Sequence, residues 1–172
     1  MIKNKTLIDA FWIVLLLVVS RLVPHWPNVT ALGATVLLAP RWFRDNKLVL
    51  LVPLVAMLVS DSLIGFHETM IYTYSAVFMV SWLSLNAKET SKLSQWVSWG
   101  LFSSLSFFVI TNFGVWLASG MYAKSLSGLI LCYWNALPFL GYEMLGTSLY
   151  LAVGIITRQL WVEAISSSVD VH

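Results

Sequence analysis

The stretch Leu48–Ile64 has the sequence LVLLVPLVAMLVSDSLI and carries no charged residue before Asp61. A helix over these residues would rise about 25 Å at 1.5 Å per residue, close to the roughly 30 Å of hydrocarbon in a bilayer. Because apolar residues would surround its axis, such a helix would have no polar face to turn toward water. The stretch therefore predicts a membrane-spanning helix.

The composition of the whole chain leads to the same conclusion. Of the 172 residues, 59% are apolar and 10% are charged, and the mean hydropathy is +0.81. A soluble domain carries about 25% charged residues, so this chain cannot cover a wetted surface of its size. These values exclude a cytosolic enzyme domain, a nucleic-acid-binding module and a disordered chain. The single cysteine, Cys132, excludes an intrachain disulfide.

Similar apolar stretches recur along the chain and predict an all-α integral membrane protein, a six-helix transmembrane bundle in a single domain over residues 1–172. Asn135 and Pro138 interrupt one of these stretches, so we expect a long structured loop over Leu126–Leu140 instead of a span. The six helices are expected at about residues 6–22, 29–42, 48–63, 70–87, 94–118 and 142–160.

The basic residues predict the orientation of this bundle. Short cytoplasmic loops collect Lys and Arg, and the six spans would place eight basic residues on one side and two on the other. If the short second span did not cross, this asymmetry would be lost. Both termini are therefore expected in the cytoplasm. The inner residues would be Lys3, Lys5, Arg41, Arg44, Lys47, Lys88, Lys92 and Arg158, and the outer residues Arg21 and Lys124.

Unusual polar residues gather in the outer connections of this topology. Ionisable residues at the ends of membrane helices are costly and are candidates for function. Arg21 and Asp61 each close a long apolar helix, and structural pairing, ligand contact and simple placement at the interface are all open for them. His25 is flanked by prolines that stiffen its turn.

Asn112 lies in an apolar run, where a carboxamide costs free energy unless it is paired. Aromatic residues nearby suit a ring-shaped ligand, although interfacial belts contain the same residues. Apolar pockets with a few convergent polar groups hold small molecules, so we expect a binding site for a small, ring-containing solute on the outer face. Its residues would be Arg21, His25, Asn28, Asp61, His67, Asn112, Trp116, Tyr122, Trp134 and Asn135.

Other functions have weaker support in the sequence. Gly-x-Ser-x-Gly, His-Glu-x-x-His and phosphate-binding glycine loops are all missing, so we expect no enzyme activity, catalytic residue or cofactor. A net charge of +2 does not indicate a nucleic-acid partner. A metal-ion permease component stays open if His25, His67 and Asp61 converge. A structural subunit of a larger membrane complex stays open if the outer polar residues only pair with one another.

Four strings carry a family resemblance: Arg21-x-x-x-His25-x-Pro27-Asn28, Ser60-Asp61-x-x-x-Gly65-Phe66-His67, Thr111-Asn112-Phe113-x-Val115-Trp116 and Cys132-Tyr133-x-x-Ala136-Leu137-Pro138. They resemble an uncharacterised family of small bacterial integral membrane proteins. That family is similar in size and hydropathy to the substrate-binding S components of energy-coupling-factor (ECF) vitamin transporters. The resemblance implies a multi-pass protein of the bacterial cytoplasmic (inner) membrane that binds a vitamin-like solute from outside.

The same resemblance implies a transmembrane coupling subunit with ATPases as a partner. S components dock on that subunit through an Ala-x-x-x-Ala pattern on the first helix, and here the first helix carries only Ala10. A solitary carrier and a coupled one both stay open.

Overall fold

The computed structural model describes the backbone of residues 2–87 and 92–169 and the side chains of residues 6–86 and 92–160. Within these residues the chain is all-helical, as expected, and forms six α-helices with a 3-10 turn at Leu85–Ala87. The α-helices are α1 (Ile2–Leu22), α2 (Leu32–Trp42), α3 (Asn46–Ile64), α4 (Met70–Ser84), α5 (Leu93–Ala118) and α6 (Leu126–Val169).

Three of the described helices are long and apolar enough to cross a membrane: α3, α5 and the part of α6 up to Leu160. The shorter helix α4 is also apolar. Only 17% of the most apolar part of α5 is buried inside the bundle, and large apolar side chains such as Leu101, Leu105 and Val109 are exposed. A surface of this kind is matched to lipid and not to water, which indicates a membrane protein.

The second helix, α2, is the shortest α-helix described and lies at the centre of the bundle. It packs against α3, α4, α5 and α6, and Leu32 and residues 34–40 are buried. We expected a helix over residues 29–42, but α2 begins only at Leu32. Its 11 residues rise about 16 Å, roughly half of the hydrocarbon thickness. The surrounding helices therefore extend past its N-terminal end.

The expected loop over Leu126–Leu140 is wrong, because these residues form the first part of α6. The helix passes through Pro138 and continues beyond the expected start of the last span at residue 142. A proline in a helix removes one hydrogen bond but leaves the others intact. Asn135 donates to the hydroxyl of Tyr122 at 3.5 Å, so its amide has a partner within the protein.

Close contact between α2 and α6 depends on glycine. A Cβ atom on Gly33 would lie 2.1 Å from Oγ1 of Thr147, and one on Gly154 would lie 2.4 Å from Cδ1 of Leu38. Small residues allow helix backbones to approach closely in lipid. The four other expected helices overlap α1, α3, α4 and α5.

Candidate functional site

The ionisable residues at the ends of α1 and α3 form an ion pair. Nη2 of Arg21 donates to Oδ1 of Asp61, and the hydroxyl of Tyr74 on α4 donates to Oδ2 at 2.9 Å. Asp61 is 2% exposed and the Arg21 side chain 18%. Both carboxylate oxygens are satisfied, as a buried charge requires. Of the three roles left open by the sequence, structural pairing is therefore the one this carboxylate has.

Two adjoining cavities lie at the end of the bundle that holds the α1–α2, α3–α4 and α5–α6 connections. The smaller cavity, of about 230 Å³, is lined by residues of all six described helices. The larger, of about 450 Å³, lies mainly between α5 and α6 and by itself reaches the size of a small-molecule site, roughly 300–1,000 Å³. We call the two cavities together the pocket. Four residues line both: Arg21, Asn28, Phe107 and Glu143.

The short central helix explains where the smaller cavity lies. Leu32, Gly33 and Val36 from the first turns of α2 line it. Because α2 begins late, no helix fills the space beyond Leu32, and the α1–α2 connection crosses it instead. Asn28 in that connection adopts φ 64°, a left-handed conformation that asparagine tolerates better than most residues. This turn places Asn28 in the walls of both cavities.

Both long walls of the larger cavity follow helical periodicity. Residues spaced three and four apart share one face of a helix, and the lining residues of α5 and of α6 show this spacing over more than ten positions. The stripe on α5 is Ser104, Phe107, Phe108, Thr111, Asn112 and Val115, and the stripe on α6 is Cys132, Asn135, Ala136, Phe139, Leu140 and Glu143.

Most of the residues expected at the site line the pocket. Asn112 and Asn135 lie on the facing stripes, and the amide of Asn112 donates to the carbonyl of Phe108 at 2.8 Å. The two histidines lie in connections at the mouth. Seven of the ten expected residues are in the walls: Arg21, His25, Asn28, His67, Asn112, Tyr122 and Asn135.

The three other expected residues lie outside the walls of the pocket. Asp61 lies behind Arg21 and holds its guanidinium. The indole of Trp116 donates to the carbonyl of Ala123 at 2.9 Å, and Lys124 donates to the carbonyls of Trp116 and Leu117. Lys124 therefore satisfies carbonyls at the end of α5, where helical partners are lacking, and the Trp116 indole holds the connection that follows. Trp134 is 70% exposed on the outer surface of α6, as a residue of an interfacial belt would be.

Glu143 lines both cavities but is not among the residues expected from the sequence. Its Oε1 accepts a hydrogen bond from Thr147 at 2.9 Å, whereas its Oε2 is buried and has no hydrogen-bond partner. With a loop expected up to Leu140, the expected last span begins at residue 142, which places Glu143 at its outer end. Since α6 is continuous, Glu143 lies about 12 Å deeper than Asn135. A polar residue on the 3–4 stripe of α6 is the sequence signal that identifies it.

The residues described at this site do not include a set of ligands for a metal ion. Among residues 6–86 and 92–160, no group of three or more His, Cys, Asp or Glu side chains could hold a metal ion. Nδ1 of His25 donates to the carbonyl of Trp26 at 2.6 Å, and Nδ1 of His67 is hydrogen-bonded to the Thr69 hydroxyl at 2.9 Å. The convergence with Asp61 that a metal-ion permease requires is therefore not found in this part of the chain.

Comparison with known proteins gives one match. The model of a family described as a family of unknown function (DUF6580) matches residues 2–164. The match covers every residue that lines the pocket. No curated protein and no solved structure matches the chain.

Proposed function

The chain belongs to the DUF6580 family of unknown function, and we propose from its geometry that it is a transport component that binds a small, ring-containing solute. One observation supports this proposal above the others: the pocket is lined from all six described helices, by polar residues set among phenylalanines. Small molecules are held by walls of this composition. In a purely structural subunit the polar residues would close on one another and leave no space.

The proposed topology has six spans, both termini in the cytoplasm and the pocket open to the outside. The pocket end holds two basic residues, Arg21 in the last turn of α1 and Lys124 in the α5–α6 connection, and both are engaged by the protein itself. The basic residues described at the other end are Arg41, Arg44, Lys47, Lys92 and Arg158, as the asymmetry of Lys and Arg requires. Lys88 and the side chains of Lys3 and Lys5 lie outside the described residues.

We further propose that the protein works as a solitary carrier, without a coupling subunit. S-component docking would need small residues exposed on α1. Ala10 is buried against the core, whereas the outer surface of α1 presents Ile8, Trp12 and Leu16. Purification from native membranes tests this point, because a co-purifying ATPase would contradict it.

A thermal-shift screen of the purified protein against vitamins and nucleobase-like compounds tests solute binding. We expect at least one compound to raise the melting temperature of the wild type. Asn112→Ala/Asn135→Ala should lose this shift, because both amides lie in the pocket wall, whereas the control Trp134→Ala should keep it. No shift in the wild type, or an equal shift in the double variant, would contradict the proposed site.

A further inference from the structure

We propose that Glu143 recognises a positively charged nitrogen of the solute, so that the pocket takes a ring compound with a protonated amine or amidine. This inference rests on the proposed solute binding and names the chemical class of the ligand. It starts from the position of the carboxylate, which lies where the two cavities meet and lines both of them.

The carboxylate of Glu143 lacks a counter-charge in the protein. No Lys, Arg or His among the side chains of residues 6–86 and 92–160 forms a salt bridge with it. The hydrogen bond from Thr147 uses Oε1; Oε2 is buried and forms no hydrogen bond of normal geometry, although the Ser104 side chain lies close enough to interact with the carboxyl. A buried carboxylate oxygen needs a donor, and a solute bound in the pocket is in a position to supply it.

The other charged groups of the pocket are already compensated. The charge of Arg21 is paired with Asp61, although its Nε is buried without a hydrogen-bond partner, and the two histidines at the mouth are hydrogen-bonded within their own connections. Glu143 is therefore the uncompensated charge of the walls described here. A cation bound beside it would be attracted more strongly than in water, because the surroundings are poorly polarisable.

The residues beside Glu143 suit the rest of such a ligand. Phe107, Phe108 and Phe139 line the same space and offer faces to a ring and to an attached cation. Oγ of Ser104, on the facing stripe of α5, is close to the Glu143 carboxyl and is also buried without a hydrogen bond of normal geometry. A nitrogen with two or more N–H groups has donors for both Glu143 and Ser104, as an amine or amidine does.

A structural role of Glu143 makes a different prediction. In that case the side chain would serve only to accept the Thr147 hydrogen bond beside Gly33. Glutamine has the same shape and keeps an acceptor oxygen for Thr147, but it has no charge. Glu143→Gln therefore separates recognition of a cation from support of the fold.

The experiment measures binding of matched probe pairs to the purified protein: benzamidine with benzamide, and tryptamine with tryptophol. In each pair the first compound is a cation and the second a neutral analogue of similar shape. We expect the cations to bind the wild type at least about tenfold more tightly than their analogues, and to lose this preference in Glu143→Gln. Glu143→Asp, which keeps the charge, should keep part of the preference.

Glu68→Gln is the matched control, since it makes the same chemical change at an exposed residue outside the pocket walls. Equal binding of cation and analogue to the wild type, or an unchanged preference in Glu143→Gln, overturns the role of Glu143 and leaves solute binding standing. Failure of every probe to bind the wild type, together with failure of the vitamin screen, overturns both.

Discussion

Arg21 at the end of α1 is ion-paired with the buried carboxylate of Asp61 at the end of α3. The same guanidinium forms part of the wall of both cavities. The pair thus joins α1 to α3. It also holds the Arg21 side chain in one position in the pocket wall, so loss of the ion pair would change the shape of the pocket.

Removing one member of this pair should destabilise the protein. Asp61→Ala leaves the partly buried Arg21 without its counter-charge and the Tyr74 hydroxyl without its acceptor, and we expect a loss of about 3 kcal/mol in the free energy of unfolding. Denaturant unfolding in detergent measures it. Ser62→Ala, an exposed neighbour, should change little. Equal stability of Asp61→Ala and the wild type would show that the ion pair does not contribute to the free energy of unfolding.

Glu143→Gln should stabilise the ligand-free protein. The amide removes an uncompensated charge from a buried position and keeps an acceptor for Thr147, so we expect a gain of about 1–3 kcal/mol. Such a gain is common where a binding site is kept at the expense of stability. Thermal unfolding without added solute measures the change, and a clear loss of stability would mean that the charge supports the fold.

Gly33→Ala should separate α2 from α6. The added methyl group would lie 2.1 Å from Oγ1 of Thr147 and 3.0 Å from Oε1 of Glu143, and overpacking of this kind costs about 1–3 kcal/mol. Gly141→Ala is the control, because a methyl group there meets no atom within 4 Å. Thermal unfolding of the two variants should therefore differ, and similar melting temperatures would argue against close packing at Gly33.

Two substitutions of Asn28 distinguish the role of its backbone conformation from the role of its side-chain amide. Asn28→Gly keeps the φ of 64° without strain, so the fold should be retained while solute binding weakens. Asn28→Ala places alanine in the same left-handed conformation. Alanine has a Cβ atom but no amide that could form a local hydrogen bond there, so the free energy of unfolding should fall by about 1 kcal/mol more than in Asn28→Gly. Melting temperatures and binding of an identified solute, measured on both variants, test this expectation. Unchanged binding in Asn28→Gly would exclude the amide from recognition.

The sequence predicted part of the pocket wall because the polar residues there are unusual for membrane helices. Arg21 and Asn112 can be identified as candidates from the sequence alone, since a polar group in a membrane helix is costly whichever way its side chain points. Trp116 and Trp134 carry no such signal, because an aromatic residue is equally at home in a pocket and at a membrane surface. Trp134 is adjacent to Asn135 in the chain but lies on another face of α6. Which of the two faces the pocket depends on how the helix is oriented about its axis.

By itself the sequence determined that the chain is helical and suited to a membrane, and which end of the helices collects polar residues. These properties are sums over neighbouring residues, so composition and periodicity determine them. Only the tertiary structure decided that α6 continues through Pro138, that Arg21 is neutralised by Asp61, and that Glu143 lies unpaired between the cavities. The ion pair and the cavities beside Glu143 are formed by side chains from helices far apart in the chain, so the local sequence pattern could place these residues on a helix face but could not show what they meet there.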